Sequence, residues 1–157
     1  MKRVVIAGVA LALSLACVAL AAESAKKPST IRPVGSRHIL PGCGCSFIRK
    51  ESPKHKNDEW IFSSTQGGPA WMNIAGTDVK LEPLDPNTDG MLHRLGDGCV
   101  MRYRAEGISV SIEVRATRVC SQAKGDESCE VTKLDGKLSL DAHDTKEVVP
   151  IEGDCGC

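Results

Sequence analysis

The sequence has few aromatic residues and no excess of charge of either sign. It contains two Trp, one Tyr and two Phe in 157 residues, too few for a platform that stacks the bases of single-stranded nucleic acid. Twenty Lys and Arg balance twenty Asp and Glu, so nothing suggests the clustered basic surface of a nucleic-acid-binding protein. We therefore expect no nucleic-acid partner, and a chain of this length predicts a single folded domain.

The sequence also lacks the familiar catalytic motifs. It has no Gly-x-Gly-x-x-Gly, phosphate-binding loop, His-Glu-x-x-His or Gly-x-Ser-x-Gly. The four histidines lie in polar stretches without a Ser or Cys and a carboxylate at a spacing typical of a triad. They are expected to be solvated surface residues: His38, His55, His93 and His143. These absences favour a binding protein over an enzyme.

The first 22 residues have the pattern of an export signal. Lys2 and Arg3 precede an almost wholly apolar stretch over residues 4–20, and Ala19-Leu20-Ala21 has the small-x-small pattern of a cleavage site. We interpret 1–22 as a signal peptide, which predicts a bacterial periplasmic or extracellular protein. Removing two of the twenty basic residues leaves 18 against 20 acidic ones, a net charge of −2.

Cys17 offers an alternative interpretation of this N-terminus. It follows Leu15-Ala16 and resembles the acylated cysteine of bacterial lipoproteins, although Ser14 stands where that motif usually has Leu. Acylation would attach the protein to a membrane. Without it, we expect no membrane contact.

Residues 23–41 are rich in proline and small polar residues and show no apolar periodicity. This composition predicts a flexible N-terminal arm. The remainder, 42–157, is predicted to form one β-rich domain.

Apolar residues in the domain recur with a period of two. Over residues 108–118, Ile108, Val110, Ile112, Val114 and Ala116 alternate with polar residues, which predicts a half-buried strand. No segment has a convincing amphipathic helix. We predict an all-β fold, a small antiparallel meander that forms a barrel or a two-layer sandwich and is stapled by disulfides.

Three short Gly-containing sequences suggest hairpin turns between these strands. Asp135-Gly136 separates two alternating runs and favours a type I′ turn. Glu106-Gly107 suggests a similar turn, and Ala75-Gly76 to Asp78 suggests a longer one. The other predicted strands are 47–50, 60–63, 70–74, 79–82, 99–105, 129–134, 137–142 and 147–151.

Seven cysteines remain after the predicted signal peptide. Disulfides persist in an exported protein, and the modest core would benefit from them. Cys120 and Cys129 flank a short connection between two strands, so a hairpin would bring them together.

Two Cys-Gly-Cys tripeptides open and close the domain. Residues two apart in a strand share a face, so antiparallel pairing of the two segments would set Cys43 opposite Cys157 and Cys45 opposite Cys155. We expect two disulfides there. The alternative is a Zn or Cu(I) site made by the four thiolates of Cys43, Cys45, Cys155 and Cys157.

Seven is an odd number, so one thiol is left outside a full set of pairs. Cys99 is our candidate, because the other six cysteines form a consistent set. Its expected role is that of a small residue packed in the core.

The leading functional hypothesis is an exported binding or accessory module, such as an inhibitor, whose partner is a protein or an envelope component. It needs no cofactor. Trp71, directly after a Gly-rich turn, is a candidate anchor for a partner. A metal-handling protein is the alternative, and a thiol oxidoreductase or hydrolase is the third hypothesis.

Overall fold

The computed structural model describes residues 29–39, 42–51, 59–85, 92–119 and 131–156. These residues form nine β-strands and one short 3-10 turn at Ser36–His38, and the predicted all-β fold is confirmed. The strands are β1 Ile31–Arg32, β2 Gly44–Arg49, β3 Trp60–Thr65, β4 Ala70–Ile74, β5 Thr77–Pro83, β6 Gly98–Ala105, β7 Ile108–Arg118, β8 Val131–Ala142 and β9 Thr145–Gly156.

Eight of the strands close into an antiparallel barrel. The order around the barrel is β4-β3-β2-β9-β8-β7-β6-β5, and β5 pairs with β4 to complete the circle. β1 is additional and pairs with the end of β4, where Ile31 lies opposite Ile74. Closure gives each of the eight barrel strands a neighbour on both sides, which is the usual way in which an all-β domain protects its edges.

Tight hairpins gather at one end of the barrel, which we call the hairpin end. One of them is the predicted turn at Glu106-Gly107, and another lies at His143-Asp144. The third is shorter than the predicted turn over 75–78, because β5 already begins at Thr77 and only Ala75 and Gly76 form the turn. Ala75 and Gly76 both have positive φ, 53° and 95°, as a type I′ turn requires. The opposite end holds the start of β2 and the end of β9, and we call it the disulfide end.

The predicted turn at Asp135-Gly136 is wrong, because β8 runs through these residues without interruption. A Cβ atom on Gly136 would lie 2.0 Å from the carbonyl oxygen of Glu113, so β7 and β8 approach too closely there for a side chain. The glycine marks a close approach of two strands. The chain turns back seven residues later, at His143, which has φ 48°.

The interior of the barrel is filled by side chains from every part of the wall. Three aromatic rings meet in the middle: the ring centroid of Phe62 lies 5.8 Å from that of Phe47 and 5.2 Å from that of Tyr103. Residues that are almost fully buried surround them: Met72, Leu81, Met101, Ile112, Leu138 and Ile151. A barrel of eight strands is just wide enough for its own side chains to fill it, so the interior is a core.

The expectation of a flexible arm does not hold for residues 29–39. Ile31 and Val34 are buried, and the Val34 N–H donates to the carbonyl oxygen of Trp60 at 2.7 Å. Two apolar side chains in a polar, proline-containing stretch attach it: Ile31 joins the core cluster opposite Ile74, and Val34 is buried as well. The folded unit therefore includes part of the segment that the sequence predicts to be an arm.

Candidate binding face at the disulfide end

A disulfide joins Cys45 of β2 to Cys155 of β9, as the antiparallel pairing of the two Cys-Gly-Cys segments predicts. The two cysteines lie directly opposite each other and are 2% and 1% exposed. The Cys45 N–H donates to the Ser64 hydroxyl of β3 at 3.3 Å. The bond thus ties the beginning of the barrel to its last strand, beneath the rim of the disulfide end.

Cys43 lies two residues before Cys45, is exposed and is also disulfide-bonded. Its predicted partner, Cys157, lies outside the described residues, as do Cys17 and the predicted pair Cys120 and Cys129, so the roles of these four cysteines stay predictions. The four-thiolate metal site does not fit this oxidised state, because a sulfur in a disulfide is not a thiolate ligand.

A small polar layer lies inside the barrel near this end. The Tyr103 phenol is hydrogen-bonded with Ser64, and burial raises the pKa of Tyr103 against the opposing effect of that bond. Cys99 is a half-buried thiol that packs against the same core, in keeping with its expected role.

Connections between strands meet at the disulfide end. The turn after β3 contacts the first cysteine segment, where the Gln66 N–H donates to the Cys43 carbonyl oxygen at 2.9 Å. The Thr132 hydroxyl of β8 donates to the carbonyl oxygen of Leu92 at 3.2 Å, which holds the connection that precedes β6. Loops carried by a rigid barrel are where binding residues are most often found.

The N-terminal segment enters the fold at the other end. The Glu147 carboxylate of β9 accepts hydrogen bonds from the Ser29 hydroxyl, the N–H groups of Thr30 and Ile31, and the Arg49 guanidinium. Burial raises the pKa of Glu147, but these four hydrogen bonds together outweigh it and hold the pKa below its usual value. Cys155 lies eight positions after Glu147 along β9, about 26 Å of extended chain.

Trp71 lies on the outer surface of β4, where the 3-10 turn covers it. The imidazole of His38 stacks on the indole with ring centroids 3.7 Å apart. His38 Nε2 lies 3.6 Å from the Asp78 carboxylate and accepts a hydrogen bond from Arg37 at 3.0 Å. The expectation that His38 is a solvated histidine is wrong, because its side chain is only 17% exposed. One face of the candidate anchor is occupied by the protein itself.

Sequence reasoning missed both of these N-terminal contacts. Ile31 and Val34 were the available signal for them, as apolar residues in an otherwise polar arm. Nothing in the sequence points to Glu147 as their partner, because the contact spans 116 residues from Ile31.

An open concavity of about 760 Å³ lies on the outer surface of β6, β7 and β8. Gly98 and Gly136 provide no side chains at its floor, and charged side chains surround it. Glu113 and Lys137 pair across it at 3.0 Å, and Arg115 donates to the carbonyl oxygen of Gly96. The concavity reaches the disulfide end at Gly98.

The chain matches no protein-family model, no curated protein sequence and no solved structure. Within the described ranges, no three His, Cys, Asp or Glu residues are placed to hold a metal ion together. Of the same residues, none forms a helix long and apolar enough to span a membrane. The class that the fold defines is a closed, eight-stranded antiparallel β-barrel with one additional strand and a disulfide between its first and last barrel strands.

Proposed function

We propose that the protein is an exported binding or accessory module that contacts a protein or an envelope component through the disulfide end of its barrel. The observation that carries the proposal is the filled interior. Phe47, Phe62 and Tyr103 occupy the space where a barrel of this size would hold a small ligand, which favours binding through the outer surface.

The placement of the N-terminal segment supports the choice of end. Ser29 is attached beside Glu147 at the hairpin end, and the connections around Cys43 and Leu92 lie at the other end. A module held through residues 23–28, whether by a lipid on Cys17 or by another attachment, would present its disulfide end outward. The buried Cys45–Cys155 bond supports a working place in an oxidising compartment.

Site-specific photo-crosslinking in the cells that produce the protein tests the proposal. A photoreactive residue replaces Arg118, exposed at the disulfide end of β7, or, as the matched control, Lys146, exposed at the hairpin end. We expect a discrete crosslinked partner from position 118 and none from position 146. Crosslinks only from position 146, or from neither position, would contradict the proposal.

A further inference from the structure

The barrel wall has a gap between β5 and β6 at the disulfide end. The two strands pair only at Glu82 with Arg104 and Pro83 with Tyr103, and the Leu84 N–H adds one bond to the Arg102 carbonyl oxygen at 2.8 Å. β6 begins at Gly98, four residues before Arg102. Its first residues therefore extend beyond the last described residue pair with β5.

The direction of the backbone groups in this part of β6 follows from that bond. The Arg102 carbonyl points towards β5, so in an antiparallel ladder the groups of Val100 and Gly98, two and four residues earlier, point the same way. No residue of the described ranges donates to or accepts from them. They form a short open edge with a repeat of about 7 Å, which we call the β6 edge, Gly98–Met101.

Two exposed leucines lie at the ends of the β6 edge. Leu84 follows β5 and is 43% exposed, and Leu95 lies three residues before Gly98 and is 70% exposed. Among the described residues, only one other large hydrophobic side chain, Val148, is similarly exposed. The edge thus combines unpaired backbone groups with apolar surface.

The charges around the β6 edge are predominantly positive once ion pairs are removed. Asp85 pairs with Arg102 and Glu113 pairs with Lys137, at 3.5 Å and 3.0 Å. Three exposed arginines have no described carboxylate within ion-pair distance. The three are Arg94, Arg104 and Arg115. Two acidic residues near them in sequence are in no described ion pair: Asp97, beside Gly98, and Glu106, at the hairpin end.

We propose that the β6 edge binds an extended acidic peptide segment of a partner protein as an additional strand. An extended peptide backbone offers hydrogen-bond donors and acceptors at the same repeat as those of Gly98 and Val100. Alternate apolar side chains of the peptide would contact Leu84 and Leu95. Acidic residues at the two ends of the peptide would complement the arginines. This inference rests on the proposed binding function and names the chemistry of its partner.

A synthetic peptide with the sequence Asp-Glu-Val-Thr-Val-Thr-Glu-Asp is the probe. Its binding is measured by fluorescence anisotropy, and hydrogen exchange of the protein amides is followed by NMR. We expect the Gly98 and Val100 amides to exchange at least about tenfold more slowly with the peptide bound, because each gains a hydrogen bond. A version with Lys in place of the acidic residues, or with methylated backbone nitrogens, should bind at least about tenfold more weakly.

Substitutions in the protein separate the edge from its surroundings. Val100→Pro removes an N–H group that makes no hydrogen bond to β7, so the fold should persist. Unchanged hydrogen exchange of the Met101 amide would show that it does. We expect the affinity for the peptide to fall at least about tenfold. Arg94→Glu and Leu95→Ser should also weaken binding. Lys146→Glu and Val148→Ser, away from the edge, are the matched controls and should not.

Two results would overturn the inference. One is protection of the Gly98 and Val100 amides in the protein alone, which would mean that its own chain covers the edge. The other is equal binding of the peptide by Val100→Pro and the unmodified protein. If crosslinks from position 118 persist while the peptide fails to bind, the binding function stands and the strand-addition mode is wrong.

Discussion

Glu147 fastens the N-terminal segment to the barrel through charge-assisted hydrogen bonds. The folded state lowers the pKa of this carboxyl, so its contribution to stability is complete above the unfolded value of about 4.5 and is lost as the pH falls through the folded value. We expect the free energy of unfolding to decrease below about pH 4.5. Urea titrations at a series of pH values measure this decrease.

Replacing Glu147 with Gln tests the same contact at neutral pH. We expect Glu147→Gln to cost about 1 to 2 kcal/mol, because hydrogen bonds to a charged group are lost in a partly buried position, and to remove much of the acid dependence. Glu82→Gln is the matched control, since Glu82 pairs with Lys80 on the open surface and should cost under about 1 kcal/mol. Equal effects of the two substitutions would show that Glu147 is an ordinary surface carboxylate.

At the scale of the strands, close backbone approach explains where a glycine is required. A Cβ on Gly136 would meet the Glu113 carbonyl oxygen at 2.0 Å, whereas one on Gly98 would lie 3.2 Å from the Val114 carbonyl oxygen. We expect Gly136→Ala to destabilise the protein by about 3 kcal/mol, and Gly98→Ala by about 1 kcal/mol or less, in thermal or urea unfolding. Similar costs for both would mean that β7 and β8 do not approach so closely.

The same strands show what the sequence can and cannot predict. The strict alternation of apolar and polar residues predicted β7 with its observed bounds, because successive side chains of that strand face the core and the solvent in turn. The Asp135-Gly136 turn failed because local turn chemistry cannot distinguish a hairpin from a glycine needed where strands crowd together. The facing cysteines could be predicted from register alone, but the β6 edge could not, because it depends on where β5 stops pairing with β6.

For the whole molecule, the disulfides stabilise the fold by closing a long loop in the unfolded chain. The Cys45–Cys155 bond spans 110 residues, and closing a loop of that size is worth about 4 to 5 kcal/mol in the chain-entropy model. If Cys43 bridges to Cys157, its bond closes nearly the same loop. Removing one bond then costs little entropy, and removing both costs the full amount.

Stepwise removal of the cysteines checks this arrangement. We expect Cys45→Ala with Cys155→Ala to cost about 2 kcal/mol, mainly from lost packing of buried sulfurs, and the further change Cys43→Ala to bring the total above about 5 kcal/mol. Unfolding in urea under non-reducing conditions gives these values. A full cost from the first pair alone would place the partner of Cys43 elsewhere in the chain.

The central claim is that this filled barrel keeps a short backbone edge open for a partner at its disulfide end. Residue-resolved hydrogen exchange of the unmodified protein tests it most directly. The β7 ladder should protect the Met101 amide strongly, while the Gly98 and Val100 amides of the same strand exchange at least about a hundredfold faster. Equal protection at Gly98, Val100 and Met101 would contradict the claim.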